Sequence, residues 1–146
     1  MVEGLGDLGI SLGLAAIGSA LGTGTAGMAA LGAWKKCFLQ NRPAPFILIA
    51  FVGAPLSQTI YGMILRNAIQ AANLPAEAYI PQLIYGIGGG LAMGVSSWMQ
   101  GKAGACAADA FAETGKGFGY YIMVLGIIET VALFVMVFLM TALPKG

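Results

Sequence analysis

Glu129 sits where an acid is costly. It interrupts Tyr120–Thr141, YYIMVLGIIETVALFVMVFLMT, a run of about 22 otherwise uncharged and mostly apolar residues. A run of that length crosses the hydrocarbon core of a bilayer as a helix. An ionised acid near its middle costs at least ~2.5–3.5 kcal/mol, so a lone Glu is kept for function or held, protonated, as a link to a neighbouring helix. Residues that could meet it lie on two other apolar stretches: Gln58, with Ser57 and Tyr61, in GAPLSQTIYG, and Gln100 in MQGKAGACAA. Together they offer a carboxylate, two amide oxygens, a hydroxyl and a phenol. Pro55 adds a backbone acceptor, because a mid-helix proline has no N–H and frees a carbonyl about one turn back, here that of Phe51 or Ala54. Hard oxygen donors with one negative charge suit a dehydrated alkali cation, whereas calcium or magnesium usually recruits several carboxylates. A site for protons alone needs only the carboxyl and one acceptor, so the additional oxygens favour sodium. The alternative is that Ser57, Gln58 and Gln100 are interhelical glue.

Four apolar spans must position these groups, at about Leu5–Trp34, Phe46–Ala72, Tyr79–Ala112 and Phe118–Leu143. The turns between them are short. Lys35, Lys36, Asn41, Arg42, Pro43 and Pro45 mark the first, Asn73, Leu74 and Pro75 the second, and Thr114, Gly115, Lys116 and Gly117 the third. Short turns force successive helices antiparallel, giving two hairpins with both termini on one side. Residues equidistant from a turn then share a depth. Gln100 and Glu129 are each about fourteen residues from the Thr114–Gly115 turn, roughly 20 Å along the helix, and Gln58 stands comparably far from Arg42–Pro43. Within the second span Ala54 and Gln58, and Ser57 and Tyr61, are spaced to share one face.

The hairpins, 1–72 and 73–146, read as copies: GTAGMAA at 24–30 resembles GKAGACAA at 101–108, and each leads through a polar turn into a helix with one polar residue inside it. That residue is Gln58 in the first repeat and Glu129 in the second. One carboxylate per two hairpins implies one ion per protomer. The first and third spans carry Gly9, Gly13, Gly18 and Gly22, and Gly86, Gly90 and Gly94, at spacings that let helices approach closely. The second and fourth are bulky. A ring of protomers with glycine helices inside and bulky helices facing lipid uses both kinds.

Composition supports a membrane protein: of 146 residues 58% are hydrophobic and 9% charged, with a mean hydropathy of +0.84. With a net charge of +1 and no basic run, nothing points to nucleic acid. Histidine is absent, and Cys37 and Cys106 form no ligand motif, which argues against a zinc, haem or iron–sulfur site and for two plain thiols. Glu3 and Asp7 stand where a signal peptide would carry basic residues, so the N-terminal stretch reads as the first membrane helix. Lys35, Lys36, Arg42 and Lys116 share the end opposite the acidic N-terminus, which puts the first and third turns in the cytoplasm; Arg66, Glu77 and Lys145 fall on the outer side.

APLSQTIYG, MQGKAGACAA and IIETVALF within a doubled hairpin resemble the membrane rotor subunit K, the proteolipid or c-type subunit, of V-type and A-type ATPases, most of all the sodium-translocating bacterial form. The resemblance covers nearly the whole chain. It implies an all-α membrane protein of four transmembrane helices, two duplicated hairpins assembling into a rotor ring, with no catalytic activity of its own. It also implies a sodium ion held by Glu129, by the side-chain oxygens of Gln58 and Gln100, by the Ser57 hydroxyl and by the Ala54 backbone carbonyl, with Tyr61 bonded to Glu129. Ser57 stands where the sodium family usually has Thr, which keeps the hydroxyl. The implied partners are other copies of the chain, a stator membrane subunit with an essential arginine, central-stalk subunits on the cytoplasmic side, and lipid. The implied location is the cell membrane. A proton-coupled ring and a small oligomeric Glu-based cation transporter are the rival readings. Lys102 lies at the depth of Glu129 and is expected to face away from it and to snorkel toward the cytoplasm or the ring interior. Asp109 and Glu113 read as solvated or interface residues.

Overall fold

A computed structural model describes residues 5–144. The charged residues Glu3 and Lys145, which bear on sidedness, lie outside the described residues. All regular structure among those described is helical: α1 (Ile10–Leu39), α2 (Ile49–Gly53), α3 (Ser57–Ala71), α4 (Tyr79–Thr114) and α5 (Phe118–Ala142). The second span, Phe46–Ala71, comprises α2 and α3 with single 3-10 turns at Phe46–Leu48 and Ala54–Leu56. Pro55 explains the internal 3-10 turn, since it cannot donate the backbone bond that would continue the α-helical ladder.

Three of the four spans expected from the sequence agree with the helices to within two residues, and the first does not. The chain from Gly6 to Gly9 is a turn in which the Asp7 carboxylate accepts the Gly9 N–H at 3.0 Å and the Ser11 N–H at 2.8 Å, so α1 starts at Ile10. The helix then runs through Lys35 and Lys36, which the sequence alone assigns to the turn, because the first breaker is Asn41, in the left-handed region with φ 52°. The third turn needs two glycines, Gly115 at φ 65° and Gly117 at φ 88°, to reverse the chain within three residues.

Ile10–Leu39, Phe46–Ala71 and Phe118–Ala142 are long and apolar enough to cross a membrane. α4 is the longest helix at 36 residues, and of the four expected spans it is the one less apolar than the other three. Its glycines, with Ser96, Ser97, Gln82, Gln100 and Lys102, dilute it. α4 is the central helix of the fold, packed against α1, α3 and α5, so protein covers much of that polarity.

The α1–α4 contact is the tightest in the molecule. A Cβ on Gly18 would lie 2.0 Å from the Gly94 carbonyl oxygen, and one on Gly101 would lie 2.2 Å from the Gly22 Cα. The expected glycine columns are therefore used at Gly18, Gly22, Gly86, Gly90 and Gly94, and Gly101 and Gly104 extend them. Gly9 and Gly13 meet nothing within 4 Å and take no part. Two apolar clusters fill the bundle. One, around Leu48, Phe51, Ala107 and Leu125, lies toward the lysine-bearing end, and the other, around Leu65, Ile69, Met93 and Met136, toward the opposite end. Gln58, Gln100 and Glu129 fall between the clusters along every helix that carries them.

Candidate functional site

The polar residues singled out in the sequence converge on one layer. Gln58 and Gln100 are each 0% exposed. Gln58 Nε2 donates to Gln100 Oε1 at 2.8 Å, and Gln100 Nε2 donates to Glu129 Oε2 at 3.3 Å and to the Leu125 carbonyl at 3.0 Å. The Tyr61 hydroxyl donates to Glu129 Oε1 at 2.7 Å. Ser57 Oγ lies 3.2 Å from Gln58 Oε1 and 3.3 Å from the Ala54 carbonyl oxygen. The chain of bonds Ala54, Ser57, Gln58, Gln100, Glu129, Tyr61 thus links the second span to α4 and α5.

Equal distance from the third turn brings Gln100 opposite Glu129, and the second span brings Ser57, Gln58 and Tyr61 to the same layer. Where the sequence allows either Phe51 or Ala54 as the freed carbonyl, the two have different surroundings. The Ala54 oxygen faces Ser57 within the polar layer, while the Phe51 oxygen is turned to α4, where a Cβ on Gly104 would lie 2.8 Å from it.

Among the described residues Lys102 makes no ion pair with Glu129. It is exposed and folds back over the Trp98 ring, 4.1 Å from the centroid. Trp98 is one turn nearer the start of α4, so this cation–π contact draws the ammonium away from the third turn and not toward the cytoplasmic end, one of the two directions expected for it. Glu113 pairs with Lys36 across the α1 and α4 ends, and Asp109 is exposed. Cys37 is buried, Cys106 is exposed, and neither is bonded. Among the described residues no His, Cys, Asp or Glu cluster could hold a metal ion by itself.

Two further polar side chains belong to this layer and were not singled out from the sequence. Ser97 Oγ donates to the Pro55 carbonyl at 2.6 Å and lies 3.2 Å from Ser19 Oγ, and Ser96 Oγ donates to the Ile128 carbonyl at 3.0 Å. The signal was present in the spacing of SSWMQ, since Ser96 and Ser97 precede Gln100 by four and three residues and so flank its face of the helix. Among the described residues the only buried side-chain polar atom without a partner is Gln82 Oε1, which is not one of the residues in this layer.

Chemically, the layer gathers one carboxylate, amide, hydroxyl and carbonyl oxygens and a phenol, and among the described residues no Lys or Arg side chain pairs with the carboxylate. It can hold a small monovalent cation, or a proton on Glu129. No curated protein matches the chain. Residues 83–142 match the family model for the C subunit of ATP synthase, a stretch that includes Gln100 and Glu129 and corresponds to most of α4 with α5. Over its second hairpin, therefore, the chain is similar to the C subunit of ATP synthase, and its described residues form an all-helical fold with three helices long and apolar enough to cross a membrane.

Proposed function

We propose that this chain is the sodium-carrying ring subunit, subunit K, of a V-type or A-type ATPase. The observation that carries the reading is the supply of oxygens beyond the carboxylate: Gln58, Gln100, Ser57 and the Ala54 carbonyl lie in one bonded layer with Glu129. Gln58 Nε2 now donates to Gln100 Oε1. Turning the Gln58 amide end for end would set two amide oxygens against each other, an arrangement that a cation between them makes favourable. Gln100 keeps its own Nε2 on the Leu125 carbonyl and Glu129, and Tyr61 fixes the other carboxylate oxygen.

Sodium is then the cargo. Glu129 loads it from one access path, and the pair crosses lipid with no net charge, which removes the main barrier to turning a carboxylate through the membrane. A stator arginine competes for the carboxylate and releases the ion to a second path. ATP is hydrolysed on other subunits. The lysine-bearing end, with Lys35, Lys36, Arg42 and Lys116, is the cytoplasmic face that meets the central stalk, and the termini lie outside. One carboxylate per two hairpins gives one ion per protomer.

A carbodiimide attacks protonated carboxyls in apolar surroundings, so it should modify Glu129, and sodium should protect by holding the group ionised. Equal labelling with and without sodium would put the proton-coupled ring in place of the sodium one. Gln58→Leu and Gln100→Leu each remove an oxygen and leave the carboxyl. Sodium binding to either variant should weaken by roughly ten- to a hundredfold, the ~1.5–3 kcal/mol of one charge-assisted contact. Sodium affinity at the parent level in both variants would show that the amides serve only as links between helices.

A further inference from the structure

We infer that Ser96 and Ser97 are positioning residues that set the sodium-over-proton preference of the Glu129 site, an inference that rests on the sodium reading above. They are adjacent on α4, and each bonds a different ligand-bearing segment. Ser97 Oγ donates to the carbonyl of Pro55, the residue after Ala54 and two before Ser57, at 2.6 Å. Ser96 Oγ donates to the carbonyl of Ile128, the residue before Glu129, at 3.0 Å. Both serines are buried, at 0% and 6% exposure for Ser97 and Ser96, and each donates to a backbone carbonyl, not to the carboxylate.

The segment that Ser97 grips is the one least able to hold itself. Ala54–Leu56 is a 3-10 turn with poorer hydrogen-bond geometry than an α-helix, and Pro55 removes one backbone donor from it. The grip is backed from α1: a Cβ on Gly22 would come 2.8 Å from the Pro55 Cβ and 2.4 Å from the Ser97 carbonyl oxygen, so the three backbones are wedged together. Ser96 fixes α5 within one residue of the carboxylate, and both anchors stand on one continuous helix. The separation between the Ala54–Ser57 oxygens and Glu129 is thereby set by two serine side chains. A bare cation needs those oxygens at fixed distances at the same moment, whereas protonation needs only the carboxyl. Loosening the anchors therefore acts on sodium and spares the proton.

The test uses the assembled ring with Ser96→Ala, Ser97→Ala, the double variant and Ser96→Thr, which keeps a hydroxyl. Two quantities are read from carbodiimide labelling of Glu129: the sodium concentration giving half-protection at fixed pH, and the pH midpoint of labelling without sodium. Ser97→Ala should raise the half-protecting sodium about tenfold and the double variant further, with the pH midpoint unmoved and Ser96→Thr close to the parent protein. A double variant with parental half-protection overturns the inference, and so does a pH midpoint that moves together with sodium, which marks general loosening. Should Ser97→Ala fail to assemble, Ser96→Ala decides by the same two readings. A parent ring that sodium does not protect refutes the sodium reading itself, an outcome distinct from protected parent and unchanged variants.

Discussion

Glu129→Gln should abolish ion transport by the assembled complex while the ring still forms. The amide keeps the shape of the side chain and removes the one negative charge in the layer. It also places two donors against each other, because Gln100 Nε2 and the Tyr61 hydroxyl both donate to the carboxylate oxygens and a glutamine can accept on only one of its two terminal atoms. Breaking a buried charged pair by removing one partner costs about 3–5 kcal/mol, so sodium affinity should fall by a factor on the order of a hundred to several thousand. Transport measured in vesicles, beside the ring's size in mild detergent, separates loss of the ion from loss of assembly. Sodium-driven turnover at the parental rate would end the assignment of Glu129 as the carrier.

Gly18→Ala should prevent or severely weaken folding. The added Cβ would sit 2.0 Å from the Gly94 carbonyl oxygen and 2.2 Å from its Cα, and no side chain is there to swing aside. Relief requires α1 and α4 to separate. Overpacking a well-packed interior costs about 1–3 kcal/mol and occasionally more, and a collision between two backbones belongs at the upper end. Separation would also loosen the Pro55–Ser97 wedge, since Gly22 stands one turn along α1 from Gly18 and shares its α4-facing side. Gly13→Ala is the control, because nothing lies within 4 Å of a Cβ there and alanine favours the helix. Thermal unfolding in detergent should show a large drop for Gly18→Ala and none for Gly13→Ala. Equal tolerance of both would mean that α1 and α4 are not in backbone contact.

Membrane character, the helix ends at most turns and much of the polar layer, Ser96 and Ser97 excepted, are legible in the sequence. Each rests on a property that one dimension carries. A lone carboxylate in a long apolar run is costly wherever the run lies, breaker residues end helices locally, and distance from a tight turn fixes depth in a hairpin. Asp7 and Asn41 show the limit even for boundaries: α1 starts later and ends later than hydropathy suggests, because its ends are set by a carboxylate cap and a left-handed residue. Rotation of a helix about its own axis was decided by the tertiary structure. α1, α4 and α5 carry no marked amphipathic stripe that would declare a buried face. For that reason packing alone gave the Ala54 and Phe51 carbonyls their different surroundings, sent Lys102 back onto Trp98, left Gly13 out of the glycine seam and brought in Gly101. It also turned Ser96 and Ser97 to opposite neighbours. Depth follows from counting residues, but facing follows from which backbones can approach, and only the close contact of α1 with α4 fixes that.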